Sequence, residues 1–247
     1  GIPFITVDLS KEYKKAVVDY MIQEYTLGRT PNPDIMCNKH VKFGAFFQYA
    51  MENGYDTVAT GHYAQVAHTT AGSAELHMGV DANKDQTYFL WGMAREALEK
   101  TYFPIGTYKK SDVRERAEKF ALHTATKKDS QGVCFLGKID MKDFLAHYIT
   151  ETPGDVLDVA GNVIGRHDGA FFLTLGQRHG FTVHQTTPNT EPLYVVAKDV
   201  AQNTITVATR SRENERYTAA TLTLQQVNWL GNPPEPGKEY SARFRYR

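Results

Sequence analysis

Cysteine is scarce in this sequence, with two residues in a chain of 247. Two cysteines are too few for a disulfide framework, and unpaired thiols are typical of reducing compartments, so we expect a cytoplasmic protein. Long apolar runs are missing as well, since no stretch of about eighteen apolar residues occurs. The opening GIPFITVDL lacks the basic start and the long apolar core of a secretory signal peptide. We therefore expect neither a membrane span nor export.

An excess of charge of one sign is also absent, because 28 Lys and Arg residues balance 28 Asp and Glu residues. A strongly basic chain would have indicated a nucleic-acid partner through its overall field. The balance gives no such indication, so any contact with RNA has to come from local basic patches. Hydrophobic residues make up 41% of the chain, which is ordinary for a globular protein with a sizeable core.

A glycine-rich phosphate-binding loop is a third feature that the sequence lacks. Nucleotide phosphates are usually held by backbone N–H groups of such a loop, where a strand leads into a helix. A second nearby glycine, followed by Ser or Thr at a helix start, is missing at each of the turns at Gly61, Gly132, Gly161 and Gly176. Both ends also read as strands without partners, IPFITVDL and EYSARFRYR. We therefore expect a piece of a longer protein that does not bind ATP tightly by itself.

Residues with chemical potential are concentrated in one stretch, GRTPNPDIMCNKHVKFG, which runs from Gly28 to Gly44. Pro31 and Pro33 fix their own backbone and push the residues before them out of the helical region, which predicts a stiff extended loop over 30–34. A helical pattern follows over 38–53. Cys37 is therefore predicted to lie at or just before the first residue of a helix.

A cysteine at a helix start is exposed to free backbone N–H groups and to the positive end of the helix dipole, which lower a thiol pKa. Asp34 precedes Cys37 by one turn, and three basic residues follow it: Lys39, His40 and Lys42. A rigid loop, a carboxylate and a poised thiol predict an active site. The alternative is a buried free cysteine beside a turn, because cysteine is among the most buried residue types.

Strand and helix patterns alternate through the first part of the chain, whereas the rest is rich in strands and turns. Buried strands are predicted at Ile2–Leu9 and 56–60, and a hairpin at 64–80. A helix is predicted after Ser10 and is expected to end at Gly28. Asp85 reads from residue types alone as the cap of a short helix. The patterns predict an α/β fold with the following divisions: an α/β domain over 1–146, a small central β-rich domain over 147–208, and the start of a C-terminal β-barrel over 209–247.

Seven segments resemble, in order, the motifs of bacterial tRNA-specific 2-thiouridylases: TPNPDIMCNKHVKFG, ATGHYA, KDQTYFL, DSQGVCFLG, PGDVLD, HDGAFFLTLGQRHGF and PLYVVAKD. Enzymes of this family place sulfur on the wobble uridine of certain tRNAs. The resemblance covers nearly the whole chain. It departs from the family pattern at the ends, because the SGGVDSS-type loop and the last part of the barrel are missing. The resemblance implies a Rossmann-like ATP-pyrophosphatase domain of the adenine nucleotide alpha hydrolase-like kind.

The resemblance also implies a chemistry. The family adenylates the C2 oxygen of uridine with ATP, with Mg²⁺ expected, and then transfers sulfur from a cysteine persulfide. Its implied partners are tRNA and a sulfur-relay donor protein, and a monomer without a bound metal is expected. A second cysteine resolves the intermediate and leaves a disulfide. We therefore expect the two cysteines either in a disulfide or separated by a wider gap.

Site residues follow from the resemblance by position in this chain. Cys134 carries the persulfide, Cys37 is the partner nucleophile, and Asp34 is the acid/base residue. Asn32, Pro33 and Asp34 hold the target base, and Gly61 lines the ATP site. The residues implied to contact tRNA are His62, Lys84, Asp85, Gln86, Arg245 and Tyr246. Independently of the resemblance, Lys127 and Lys128 would favour a thiolate at Cys134, and the glycines Gly132 and Gly137 around it predict a movable loop.

Three other interpretations fit parts of the sequence. Cys37 and His40 form a C-x-x-H pair that Cys134 or His62 could complete as a zinc site, although no tight second pair exists. The chain could be a catalytically incomplete RNA-binding fragment, but a pure binder needs no placed cysteines. Another enzyme of the ATP-pyrophosphatase family could act on a small molecule, but a barrel and a cysteine pair argue against it. We expect this chain alone to neither hydrolyse ATP nor thiolate tRNA.

Overall fold

A computed structural model describes residues 2–70, 73–128, 134, 137, 141–184, 191–209, 221 and 223–243. The chain divides into two compact units. The first unit contains residues 1–17, 33–137 and 226–247, and the second contains 18–32 and 138–225. No helix in the described part of the chain is both long enough and apolar enough to cross a membrane.

Helices dominate the start of the chain. Helix α1 spans Ser10–Tyr13, a π-helical turn follows at Lys14–Val18, and α2 spans Asp19–Thr26. The predicted end of this helical stretch at Gly28 is confirmed. Gly28 has φ of +72°, and its N–H donates to the Tyr25 carbonyl oxygen at 2.8 Å, as expected of a glycine that terminates a helix.

A second helical run carries the stretch that the sequence singled out. Helix α3 spans Pro33–Met36, a π-helical segment spans Cys37–Ala45, and α4 spans Phe46–Glu52. The prediction of an extended loop through Asp34 was wrong. Proline is accepted at the first position of a helix, because the N–H that it lacks has no partner there and its fixed φ is already helical.

The first unit also contains two small sheets. Strands β1, Val58–Ala59, and β4, Thr101–Tyr102, pair in parallel, and β2, Ala64–His68, pairs with β3, Ala74–Met78, in the predicted hairpin. The remaining elements are a 3₁₀ turn at Thr87–Phe89, α5 at Arg95–Glu99 and α6 at Lys110–Lys119. Apolar residues of the π-helical segment, α4, β1, β2, β3 and α5 form one core around Phe43, Phe47, Val58, Leu90, Met93, Leu98 and Phe103.

The predicted strand at Ile2–Leu9 is absent, although the structure describes all eight residues. Ile2 and Phe4 are 96% and 90% exposed. A strand is stable only beside a neighbour that takes its backbone hydrogen bonds, and none of the described strands pairs with these residues. The strand predicted at the end of the chain is absent from the part that the structure describes, residues 239–243. Residues 244–247 lie outside the described residues.

The second unit contains a five-stranded sheet with the order β7-β6-β5-β9-β8. Its strands are β5 at Gly154–Leu157, β6 at Val163–His167, β7 at Phe181–Val183, β8 at Leu193–Asp199 and β9 at Thr204–Thr209. All neighbours are antiparallel except β5 and β9. Val156, Val195, Ile205 and Val207 form the core of this sheet with Ala170 and Leu173. Helix α7, Met141–Ala146, packs with α2 through Leu145, Met21 and Tyr25. The α/β class with a strand-rich second part is confirmed.

Candidate functional site: two free cysteines beside Asp34

Cys37 lies inside a helix, one turn after its first residue. It is the first residue of the π-helical segment and is fully buried. Asp34 lies in α3, one turn before it, and is half-buried. Asn32 and Pro33, the other residues predicted to hold a base, directly precede Asp34, and Pro33 is the first helical residue.

Cys134 is held beside this helix by its backbone. Its N–H donates to Asp34 Oδ1 at 3.1 Å, and its carbonyl oxygen accepts from the Tyr13 hydroxyl at 2.5 Å. Gly137 has φ of +77°, whereas Gly132 lies outside the described residues. Asp34 therefore anchors the second cysteine, a role that the sequence alone did not suggest.

The two cysteines are neither bonded nor apart. Both are free, and the Cys37 thiol is hydrogen-bonded to the Cys134 sulfur. Of the two expected states, the disulfide is absent, and a hydrogen bond separates the two sulfurs. Contact without a bond is the arrangement of a reduced pair in which one sulfur shares the proton of the other.

The two sulfurs have opposite acidities. The hydrogen bond from Cys37 lowers the pKa of Cys134 to about 6, with a further contribution from the ammonium group of Lys42. The hydrogen bond to Cys134, together with burial, raises the pKa of Cys37 well above its usual range. Cys134 is therefore the thiolate at neutral pH, and Cys37 is the proton donor.

The prediction of a thiolate at Cys37 was wrong. It assumed a helix that begins at Cys37, whereas the helix begins at Pro33. The dipole effect fades beyond the first turn, and burial disfavours an anion. The expected cations also differ: Lys127 and Lys128 are exposed, and Lys42 is the basic residue that hydrogen-bonds the Cys134 sulfur.

Lys42 is fixed from its other side. Its Nζ donates to Asn38 Oδ1 at 3.0 Å, and Asn38 Nδ2 donates to the Phe89 carbonyl oxygen at 3.0 Å. Asn38 is buried, with 3% of its surface exposed. The only available signal for this pair in the sequence was its i, i+4 spacing, which is too common to single out a site. Tyr13 gave no signal beyond its place on a helical face.

Gly61 and His62 follow β1 directly, at the carboxyl end of a parallel strand pair where α/β sheets bind ligands. A Cβ on Gly61 would meet no atom within 4 Å, so the backbone there is open to a ligand. His62 is 7% exposed, hydrogen-bonded to Thr60, and packed against Phe43 and Phe103. Burial lowers its pKa to about 4. His62 is thus a neutral core residue in this conformation, and its predicted contact with tRNA stays a prediction.

Lys84, Asp85 and Gln86 lie before the 3₁₀ turn. Asp85 is 1% exposed at its side chain and accepts from the Gly79 N–H at 3.0 Å and from the Thr87 hydroxyl. Its remaining partner is Arg243, at 3.2 Å. These contacts match the interpretation of Asp85 as a capping residue, and its predicted contact with tRNA stays a prediction.

Gln86 is also engaged within the chain, since its Oε1 accepts from the Tyr63 N–H at 3.0 Å. Lys84 is half-buried. Arg245 and Tyr246 lie outside the described residues, so their predicted contact with tRNA stays a prediction. Arg243 brings the end of the described chain to Asp85. Asn228 also connects the end of the described chain to the rest of the first unit, because its Nδ2 donates to the carbonyl oxygens of Trp91 and Met93, both at 2.8 Å.

The zinc interpretation finds no support in the geometry. Cys37 is buried whereas His40 is exposed, so the two side chains face different surroundings. Within the described ranges, no three His, Cys, Asp or Glu side chains group as metal ligands.

Comparison with known proteins gives two family models and a set of close relatives. Residues 1–138 match a model described as the tRNA methyl transferase HUP domain, and residues 142–209 match one described as the tRNA methyl transferase PRC-barrel domain. Three relatives are named tRNA-specific 2-thiouridylase MnmA. The one from Geobacillus thermodenitrificans is 46% identical over 248 residues, the one from Enterococcus faecalis 45% over 249, and the one from Listeria monocytogenes 44% over 248.

Each of these alignments covers all of this chain and 66% of the relative's length. The two family models together span most of the chain, and they agree with the α/β first part and the strand-rich second part. The chain belongs to the family described by the tRNA methyl transferase HUP-domain model, and the relatives that it resembles over its whole length are named tRNA-specific 2-thiouridylase.

Proposed function

We propose that this chain carries the sulfur-transfer centre of a tRNA-uridine 2-sulfurtransferase. The observation that carries the proposal is the hydrogen-bonded pair of free cysteines, one ionised and one protonated, beside Asp34. The names of the relatives support the same activity. Because the chain spans 66% of those relatives, the activity of the whole protein, its tRNA substrate and its donor protein are parts of the proposal.

Cys134 is the residue that receives sulfur. With a pKa of about 6, it is largely a thiolate at neutral pH, and the thiolate is the nucleophilic form. It attacks the outer sulfur of a persulfide on the donor protein. A sulfur–sulfur bond forms on Cys134 while the donor's own bond breaks, and the donor cysteine leaves as a thiolate that takes up a proton.

ATP supplies the leaving group, since adenylation of the C2 oxygen turns that oxygen into part of AMP. Gly61 is the residue that we assign to its binding, because the backbone there is open at the carboxyl end of β1. Mg²⁺ would neutralise the phosphates. Asp34 is the assigned acid/base residue on the target base, with Asn32 and Pro33 beside it. RNA recognition would occur through an unstacked wobble base.

Cys37 completes the transfer. The outer persulfide sulfur of Cys134 attacks C2, and AMP leaves with the oxygen. Cys37 then loses its proton and attacks the inner sulfur of Cys134. The bond between the two cysteines forms, and the electron pair of the broken bond goes to the sulfur that stays on uridine. An external thiol must reduce the disulfide before the next cycle.

Loading also controls when Cys37 acts. The main cause of its raised pKa is the hydrogen bond to the Cys134 sulfur. Once Cys134 carries a persulfide, its inner sulfur is neutral and no longer holds that proton as an anion does. Cys37 is therefore expected to ionise more easily after loading than before it, when the Cys134 thiolate holds its proton.

The test is Cys37→Ser and Cys134→Ser in the protein as its gene encodes it, with 2-thiouridine measured in tRNA by mass spectrometry. Both variants should lose 2-thiouridine, and full thiolation by either one would overturn the proposal. A second measurement addresses the methyl transfer in the family model's description. If the two cysteine variants lost methylated uridine and kept 2-thiouridine, methyl transfer would be favoured over thiolation.

The domain limits at 146 and 208, a monomeric state and a cytoplasmic location belong to the same proposal. Lys84, Asp85, Gln86, His62, Arg245 and Tyr246 remain the proposed tRNA contacts.

A further inference from the structure

A nine-residue π-helical segment, Cys37–Ala45, contains both the thiol of Cys37 and Lys42, which hydrogen-bonds the Cys134 sulfur. π-Helical segments are rare, are mostly single turns, and occur frequently at functional sites. Lys42 follows Cys37 by five residues. In an α-helix, five residues turn the chain by about 500°, which leaves residue i+5 about 140° away from residue i around the axis.

The π-helical hydrogen bond runs between residues i and i+5, and the wider turn rotates the chain less per residue than an α-helix does. The wider turn therefore brings Lys42 closer to the side of the helix on which Cys37 lies than an α-helical turn would. Asn38 then fixes the Lys42 ammonium group, with its Oδ1 3.0 Å from Nζ.

We propose that Lys42, brought to the cysteine pair by the π-helical turn and oriented by Asn38, is a further residue of the sulfur-transfer reaction that holds the Cys134 sulfur as an anion facing Cys37. This inference rests on the proposed function for its role in catalysis. This role requires a cation that also donates a hydrogen bond. The positive charge stabilises the thiolate of Cys134, and the hydrogen bond fixes the position of its sulfur beside the buried Cys37 thiol.

The groups that face the Cys134 sulfur have opposite effects on its pKa. Cys37 and Lys42 lower its pKa, whereas burial and the carboxylate of Asp34 raise it. The Tyr13 hydroxyl also lies close enough for the Cys134 charge to raise the Tyr13 pKa. Lys42 is the one cation among these neighbours in the described part of the chain, so its removal leaves Asp34 as the only charged neighbour.

The test measures alkylation of Cys134 by iodoacetamide across a pH series in the chain of residues 1–247, with the modified peptide quantified by mass spectrometry. Wild-type reactivity should rise with a midpoint near pH 6. Lys42→Met should move the midpoint up by about one unit, at the low end of the one to three units that a paired charge gives. At pH 6 that is about a fivefold slower reaction.

The matched control is Lys39→Met, on the same π-helical segment, where the ammonium lies over the Trp91 ring at 6.0 Å. It should leave the midpoint unchanged. Lys42→Arg should return the midpoint toward the wild-type value, because charge and donor are restored. Should Lys42→Met fail to fold, Lys42→Gln gives the same readout with a polar side chain in place.

A folded Lys42→Met or Lys42→Gln protein with the wild-type midpoint would overturn the inference, as would a shift of equal size in Lys39→Met. This measurement needs no tRNA, ATP or sulfur donor. If Lys42→Met shifts the midpoint but the protein as its gene encodes it forms no 2-thiouridine, the proposed function is refuted and the role of Lys42 stays intact. In the thiolation reaction, Lys42→Met should move the pH profile to the alkaline side.

Discussion

Asp34 has two roles that a pair of substitutions can separate. Its Oδ1 accepts the Cys134 N–H at 3.1 Å, and its charge lies close to the Cys134 sulfur. Asp34→Asn keeps an oxygen at the same place and removes the charge. A hydrogen bond to a charged group contributes roughly 1.5–3 kcal/mol and a neutral one roughly 0.5–1.5, so the anchor should weaken by about 1 kcal/mol and persist.

Asp34→Ala removes the acceptor altogether. It leaves the N–H of Cys134 without its partner, which costs about 1–3 kcal/mol and should loosen the backbone around Cys134. The effect on acidity has a definite sign in Asp34→Asn, which keeps the anchor and with it the contacts of Cys134 with Cys37 and Lys42. A neighbouring carboxylate raises a thiol pKa, so its removal lowers the pKa of Cys134 below 6, by about half a unit.

The assay combines iodoacetamide labelling of Cys134 across pH with 2-thiouridine analysis of tRNA. Asp34→Asn should label with a midpoint slightly below that of wild type, and it should fail to thiolate if the carboxylate acts on the base. Asp34→Ala should label faster at alkaline pH, where Cys134 is fully ionised, because its anchor is lost. A midpoint that rises in Asp34→Asn would refute the electrostatic reasoning, and normal thiolation by Asp34→Asn would refute the acid/base role.

Two further predictions concern stability. The buried neutral His62 has a pKa of about 4, against 6.5 when unfolded, so the unfolded state binds the proton first. The free energy of unfolding should fall by about 2 kcal/mol between pH 7 and pH 5 through this residue, and urea titrations of wild type and His62→Asn at both values measure the difference. An equal fall in both proteins would contradict it. Arg243→Leu should cost about 1–2 kcal/mol in urea unfolding, because the buried Asp85 carboxylate loses its charged partner. The control Lys238→Leu breaks an exposed pair with Glu235 and should cost under about 0.5 kcal/mol. Equal losses of unfolding free energy in both variants would contradict a larger contribution from the buried Asp85 pair.

Several features followed from sequence alone because they depend on local chemistry. The end of the first helical stretch at Gly28, the hairpin at 64–80 and the strand-rich second part rest on glycine conformations and on alternation of apolar residues. Such patterns express backbone preferences that act within a few residues. The family resemblance could also be identified from the sequence, because seven motifs in the same order rarely occur together by chance.

Tertiary contacts decided the rest. Alternation at Ile2–Leu9 predicted a strand, but a strand exists only where another backbone accepts its hydrogen bonds, and the described strands offer none. The ionisation of the cysteines was decided in the same way. A helix start four residues earlier, the burial of Cys37 and the approach of Lys42 reversed the thiolate expected from local sequence.

By itself, the sequence determined that this chain has two thiols, a carboxylate one turn before the first of them, and a fold with an α/β part and a β-rich part. Only the tertiary structure decided that the thiols meet, that Asp34 holds Cys134, and that Cys134 is the anion. The physical reason is that acidity depends on distance to charge and on exclusion of water. Both are properties of residues far apart in the chain that folding brings together.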